Sequence, residues 1–223
     1  MQLSQKKLDF ANKRDLVYIT LRDQIVLGHL KPSQRMSASE VAEQMGVSRT
    51  PVNTALRILE EQGFVTVLPN IGFEIKSYSW EEIEEMMSIR LALERLAVTW
   101  SMARGFGQWA DGLKRLSQRM RQTVISRDKE AYYHANQDFH NTLYQSASAA
   151  RLLELHNRIW DYEGWYSARM HESTAELLTL CDDHDELLIL MERGDEEKAL
   201  SVVNTHVGHC LQLLKENISF MNG

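Results

Sequence analysis

"VSRTPVNTALRILEEQGFV", Val47 to Val65, sets an apolar stripe against a polar one at helical spacing, and the polar stripe decides what kind of domain opens this chain. Val52, Ala55, Leu56 and Leu59 recur at intervals of three and four and form the inward face. Arg49, Thr50, Asn53 and Arg57 share the other face. Ser48 stands where a helix cap belongs. Pro51 is tolerated in the first turn because the amide it lacks would be unpaired there, and Gly63 closes the helix. Two readings of the polar face stand. In one, the helix lies in a DNA major groove with its first residues at base edges, where arginine forks onto guanine O6 and N7. In the other, it is the solvated side of a domain that binds protein.

Working outward, Lys13 to Val26 carries helical apolar spacing and ends at Gly28. "SASEVAEQMG" places Ser37 three residues before Glu40, the spacing of a capping box, and predicts a short second helix ending at Gly46. After Gly63, Phe64 to Val67 and Phe73 to Ile75 read as strands joined by a turn through Pro69, Asn70 and Gly72. Three helices and a β-hairpin wing in this order predict a winged helix-turn-helix over residues 1–78.

These residues resemble the N-terminal domain of the GntR family of bacterial transcription regulators. The likeness runs over "LRDQIVLGHLKP", "SEVAEQMGVSRTPV", "ALRILEEQGFV" and the Gly72 wing, from Val17 to Ile75 without gaps. It implies DNA contacts at Arg49 and Thr50, with Ser39, Asn53, Arg57 and Gly72 completing the candidate surface. Ser39 and Asn53 stand where the family has arginine, Thr54 where it has glutamate, and the wing "LPNIGF" lacks arginine. Each missing arginine removes a phosphate or guanine contact, so binding is weaker, less salt-dependent or aimed at another sequence. Asparagine can pair with adenine N6 and N7, so Asn53 is a candidate for changed specificity.

Charge divides the chain. Residues 1–78 hold ten Lys and Arg against eight Asp and Glu, about +2, which leaves about −8 of the net −6 for the remainder. Only the first part suits a nucleic acid partner. Two cysteines, Cys181 and Cys210, are too few for a disulfide framework or a cysteine-type zinc site. No apolar run is long enough to span a bilayer and the first residues do not form a secretion signal, so a cytoplasmic protein with no membrane partner is expected.

Beyond Ser79 there is no strand signal. Helices are expected at about Trp80 to Arg104, Trp109 to Ser126, Lys129 to Ser146, Ala149 to Trp160, Tyr162 to Met191 with a break, and Asp195 to Ile218. The expectation for residues 79–223 is an all-α bundle. Three histidines sit mid-stripe on separate helices: His140 between Tyr133 and Leu143, His184 between Leu177 and Leu187, and His206 between Ala199 and Cys210. A lone histidine on such a stripe is usually a hydrogen-bonded core residue, whereas three point to a shared metal site. Position 136, one turn before His140, offers a fourth ligand; Asp138 points elsewhere. Arg90 shares a stripe with Ile83, Met86, Met87, Leu93 and Ala97, which demands a partner: either Glu94 one turn on, or the carboxylate of a ligand. Trp160, Tyr162, Trp165 and Tyr166 serve core or dimer packing, or line a pocket.

"FHNTLY", "HDELLILMERGDEEKA" and "THV", in that order, resemble the FCD ligand domain that follows the winged domain in the FadR subfamily of GntR regulators. The resemblance implies a divalent metal, zinc or nickel, held by Asn136, His140, His184 and His206, and a small carboxylate effector in the same cavity with Arg90 as its clamp. Asn136 stands in place of the usual Asp. It leaves a metal site weaker and more attractive to an anion, or metal-free with the histidines meeting the effector directly.

The leading expectation is a ligand-responsive, sequence-specific transcription regulator that binds a palindromic operator in double-stranded DNA as a homodimer. The alternatives are a winged protein with degenerate DNA binding that acts through protein partners, and a metal-dependent hydrolase. No His-Glu-x-x-His spacing or evident general base supports the hydrolase, so an enzyme is not expected.

Overall fold

A computed structural model describes residues 13–167 and 173–221, and the chain divides into two compact units, the first of residues 1–78 with 161–169 and the second of residues 79–160 with 170–223. The first is built on α1 (Lys13–Val26), α2 (Ala38–Met45) and α3 (Arg49–Glu61) with strands β1 (Arg35–Met36), β2 (Val65–Leu68) and β3 (Gly72–Ile75). Val17, Leu21 and Ile25 of α1 are fully buried, as are Val52, Ala55 and Leu59 of α3. The apolar stripe of the quoted stretch therefore does face inward. The Ser37 and Glu40 capping box forms reciprocally, and Gly46 ends α2 in the left-handed conformation.

Two details differ from the expectation. Ser48 takes the extended backbone of a cap, but its hydroxyl accepts no hydrogen bond from the helix. The wing is a three-stranded antiparallel sheet of order β1-β3-β2, because Arg35 and Met36 pair with Glu74 and Phe73. A two-residue strand is too short to carry an alternating signal in sequence. Gly72 explains why that pairing needs glycine: its φ is 144°, and a Cβ there would lie 2.2 Å from the Met36 carbonyl oxygen. Asn70, at φ 63°, makes the turn.

The second unit is helical: α4 (Trp80–Ala103), α5 (Gly107–Ile125), α6 (Lys129–Ser146), the part of α7 (Ala150–Ser167) up to Trp160, α8 (Thr174–Arg193) and α9 (Glu196–Met221). Helix α7 runs through Asp161 without interruption, so no break falls between Trp160 and Tyr162; neither proline nor glycine stands there to cause one. Helix α8 starts afresh at Thr174, with Ser173 and Glu176 forming a second reciprocal capping box. A third, Ser79 with Glu82, starts α4. Helix α5 packs on α6 and α8, α9 on α4 and α8, and α6 on α4. Leu113, Met120, Phe139, Leu143 and Val203 fill the apolar part of this interior and are fully buried. Among the described residues, no helix is long and apolar enough to cross a membrane.

Candidate functional site

The head and the bundle each place candidate residues, and the bundle is the more informative. His140 from α6, His184 from α8 and His206 from α9 come together, with one ring nitrogen of each within 4.8 Å of the others. All three are buried. His140 Nε2 and His184 Nε2 stand 3.2 Å apart. Imidazole nitrogens about 2.0–2.1 Å from a zinc ion at tetrahedral angles lie roughly 3.3 Å from each other, so this pair has the separation of two ligands. Phe139 packs its ring on His184, with centroids 4.4 Å apart, and covers that face of the ring with apolar surface.

Burial first, then the Arg90 charge, pushes His140 well below the usual histidine range; burial, then His206 and Arg90, does the same to His184. Both are therefore neutral, the form that offers a lone pair to a cation. Burial works against a charge on His206 too, but the Cys210 sulfur and the Asp183 carboxylate outweigh it and raise its basicity. The Asn136 side-chain oxygen is buried without a hydrogen-bond partner, one turn before His140. The donor set of three imidazoles and one amide oxygen fits a divalent transition metal ion.

Arg90 on α4 is buried at 7% exposure and reaches both ways. Its Nε donates to Glu94 Oε2 at 3.1 Å, and its Nη2 lies 3.3 Å from His206 Nε2. The pairing with Glu94 is thus present, and the rest of the guanidinium borders the histidine cluster. Glu94 Oε1 lies 3.6 Å from His140 Nδ1. Trp160 on α7 is also buried beside the cluster, its ring 4.8 Å from that of His140 and its indole N–H without a partner. The side chains of Tyr162, Trp165 and Tyr166 lie outside the described residues.

Two residues that the sequence did not mark belong to this neighbourhood. His156 on α7 is buried and stacked on Tyr144, with centroids 3.8 Å apart. Asp183 accepts from His206 and His209. The available signal for Asp183 was "HVGH": histidines three apart share a helix face, and an acid beside His184 on a facing helix can serve both.

In the head, Arg49, Thr50, Asn53 and Arg57 are all exposed on one side of α3, and Ser39 is exposed on α2. Thr54, next to Asn53, turns its hydroxyl back to the Thr50 carbonyl. Gly72 is half-buried against β1, so it shapes the wing; Ile71 at its tip is 67% exposed.

Residues 85–209 match the FCD domain family, and residues 13–75 match the bacterial regulatory proteins of the gntR family. The HTH-type transcriptional regulator McbR of Escherichia coli (strain K12) is 26% identical over 204 residues, which cover 90% of this chain and 89% of that protein. A probable D-xylose utilization operon transcriptional repressor of Paenarthrobacter nicotinovorans is 26% identical over 198 residues, 87% of each chain. The solved structure of E. coli McbR/YncC shares the fold with a TM-score of 0.81 at 24% identity, covering 93% of this chain and 99% of that one.

Proposed function

The chain belongs to the FCD family behind a gntR-family head and is a DNA-binding transcription regulator, not an enzyme, and from that premise we propose that a small carboxylate bound in its bundle controls how it reads DNA. The observation that carries this reading is the buried constellation of Arg90 and three histidines drawn from four helices. A guanidinium and, when present, a divalent ion recognise the same thing, an anionic oxygen. When bound, the metal would supply Lewis acidity toward that oxygen. His140, His184 and His206 would hold the ion with Asn136, and Arg90 would orient the carboxylate. Phe139 and Trp160 exclude water, which strengthens each of these contacts.

At the other end, Arg49, Thr50, Asn53 and Arg57 face the major groove, joined by Ser39, with Gly72 shaping a wing beside it. A head this small reads few base pairs, so the protein acts in the cytoplasm as a homodimer on a palindrome whose half-sites lie about one helical turn apart. The effector changes DNA affinity only to the extent that it binds the two states of the regulator unequally.

The test is selection of the purified protein against randomised duplexes at two salt concentrations, with and without zinc and a panel of small hydroxy- and dicarboxylic acids. A palindrome should be enriched, at least one acid should change its occupancy, and Asn53→Arg should alter the preferred bases. Binding without any enriched sequence that disappears as salt rises would instead favour a winged protein that works through partners.

A further inference from the structure

Neither the three clustered histidines nor Asn136, one turn before His140, offers an anionic atom: the histidines have imidazole nitrogens and Asn136 a buried amide oxygen. A buried dication held by neutral donors alone lacks a countercharge. Glu94 is near, but its other oxygen is already paired with Arg90. Asp183 is different. It is 9% exposed, on α8 immediately before His184, and its Oδ2 accepts from His209 Nδ1 at 2.9 Å and from His206 Nδ1 at 3.4 Å. A proton on His206 Nδ1 leaves the lone pair on Nε2, the nitrogen on the side of Arg90.

We infer that Asp183 is the positioning residue of the metal centre: through Nδ1 it fixes His206 with Nε2 aimed at the ion, and it supplies the negative charge that the ligands lack. Successive residues of α8 then do complementary work. His184 binds the ion, and Asp183, turned toward α9, orients another ligand from behind. Arg90 and Glu94 cancel each other, Asp183 offsets half the charge of a dication, and the single positive charge that remains suits an effector with one carboxylate at the ion. The inference rests on the reading of the three histidines as a metal site.

The full chain, stripped by a chelator, is titrated with cobalt(II), followed by its visible absorption, and with zinc(II) in competition with a chromophoric chelator. Asp183→Asn keeps the shape and one acceptor but loses the charge; it should weaken zinc binding about 10- to 100-fold and alter the cobalt spectrum. Asp183→Glu should restore part of the affinity, and His209→Gln, which leaves the carboxylate on His206, should stay within about threefold of the parent. Asp183→Asn binding zinc as tightly as the parent, even with a lower melting temperature, would overturn the inference and leave the metal site standing. Equal losses in His209→Gln and Asp183→Asn would also overturn it, because the effect would then not follow the carboxylate. A parent protein that takes up neither ion removes the metal site and this inference with it.

Discussion

His156 lies flat on Tyr144 at 3% exposure, a place that accepts only a neutral imidazole. Burial, and after it the Arg90 charge, pushes it down to about 3. Unfolding releases the ring to its ordinary value near 6.5, so the unfolded chain takes up a proton there that the folded chain refuses until about pH 3. Its contribution is fully present above pH 6.5 and is lost as pH falls toward 3. By pH 5 this amounts to about 2 kcal/mol, from about 1.4 kcal/mol per pH unit. His156→Phe keeps the stack and should flatten the decline in urea-measured stability between pH 7 and pH 5 by that amount. An unchanged slope would mean that His156 is hydrated when folded. At this scale, His140, His184 and His206 were legible because each sits mid-stripe on its own helix. His156 and Asp183 were not, because stripe periodicity says which way a residue faces but not what meets it from the next helix.

Elements were legible where local chemistry is strong and obscure where pairing is long-range. Ser37 with Glu40 announced α2 and the stripe from Val52 to Leu59 announced α3, since both signals lie within one or two turns. Strand β1 has only two residues and exists because β3 pairs with it across a gap of more than thirty positions, which no window on the sequence contains. The boundary expected between Trp160 and Tyr162 is absent, whereas the break expected within Tyr162 to Met191 is present, before the helix start that the Ser173 box makes. The wing offers a clean test. Gly72→Ala adds a Cβ at φ 144° that would meet the Met36 carbonyl oxygen, so β1 should come away from β3. We expect a loss of about 2–3 kcal/mol in the head alone and weaker DNA binding, with cobalt uptake by the bundle unchanged. Differential scanning calorimetry together with a cobalt titration checks both halves.

Two compact units in one chain imply two unfolding steps rather than one. An ion held by α6, α8 and α9 stabilises only the unit that holds it: at a free concentration 100 times the dissociation constant, zinc should add about 2.7 kcal/mol to the bundle, several degrees of melting temperature, and leave the head's step in place. Gly72→Ala should move the other step, which assigns the two. A single transition that zinc shifts as a whole would show that the units unfold together. Helix α4 sets a geometric condition on any signal between them. Its capped start at Ser79 directly follows the last residue of the head, and Arg90 lies eleven residues along the same uninterrupted helix. At 1.5 Å per residue that is an arm of about 16 Å. A tilt of roughly 10° about Arg90 moves the capped start of α4 through about 3 Å, so a repacking around Arg90 no larger than helix packing ordinarily tolerates is felt at the far end of the same helix.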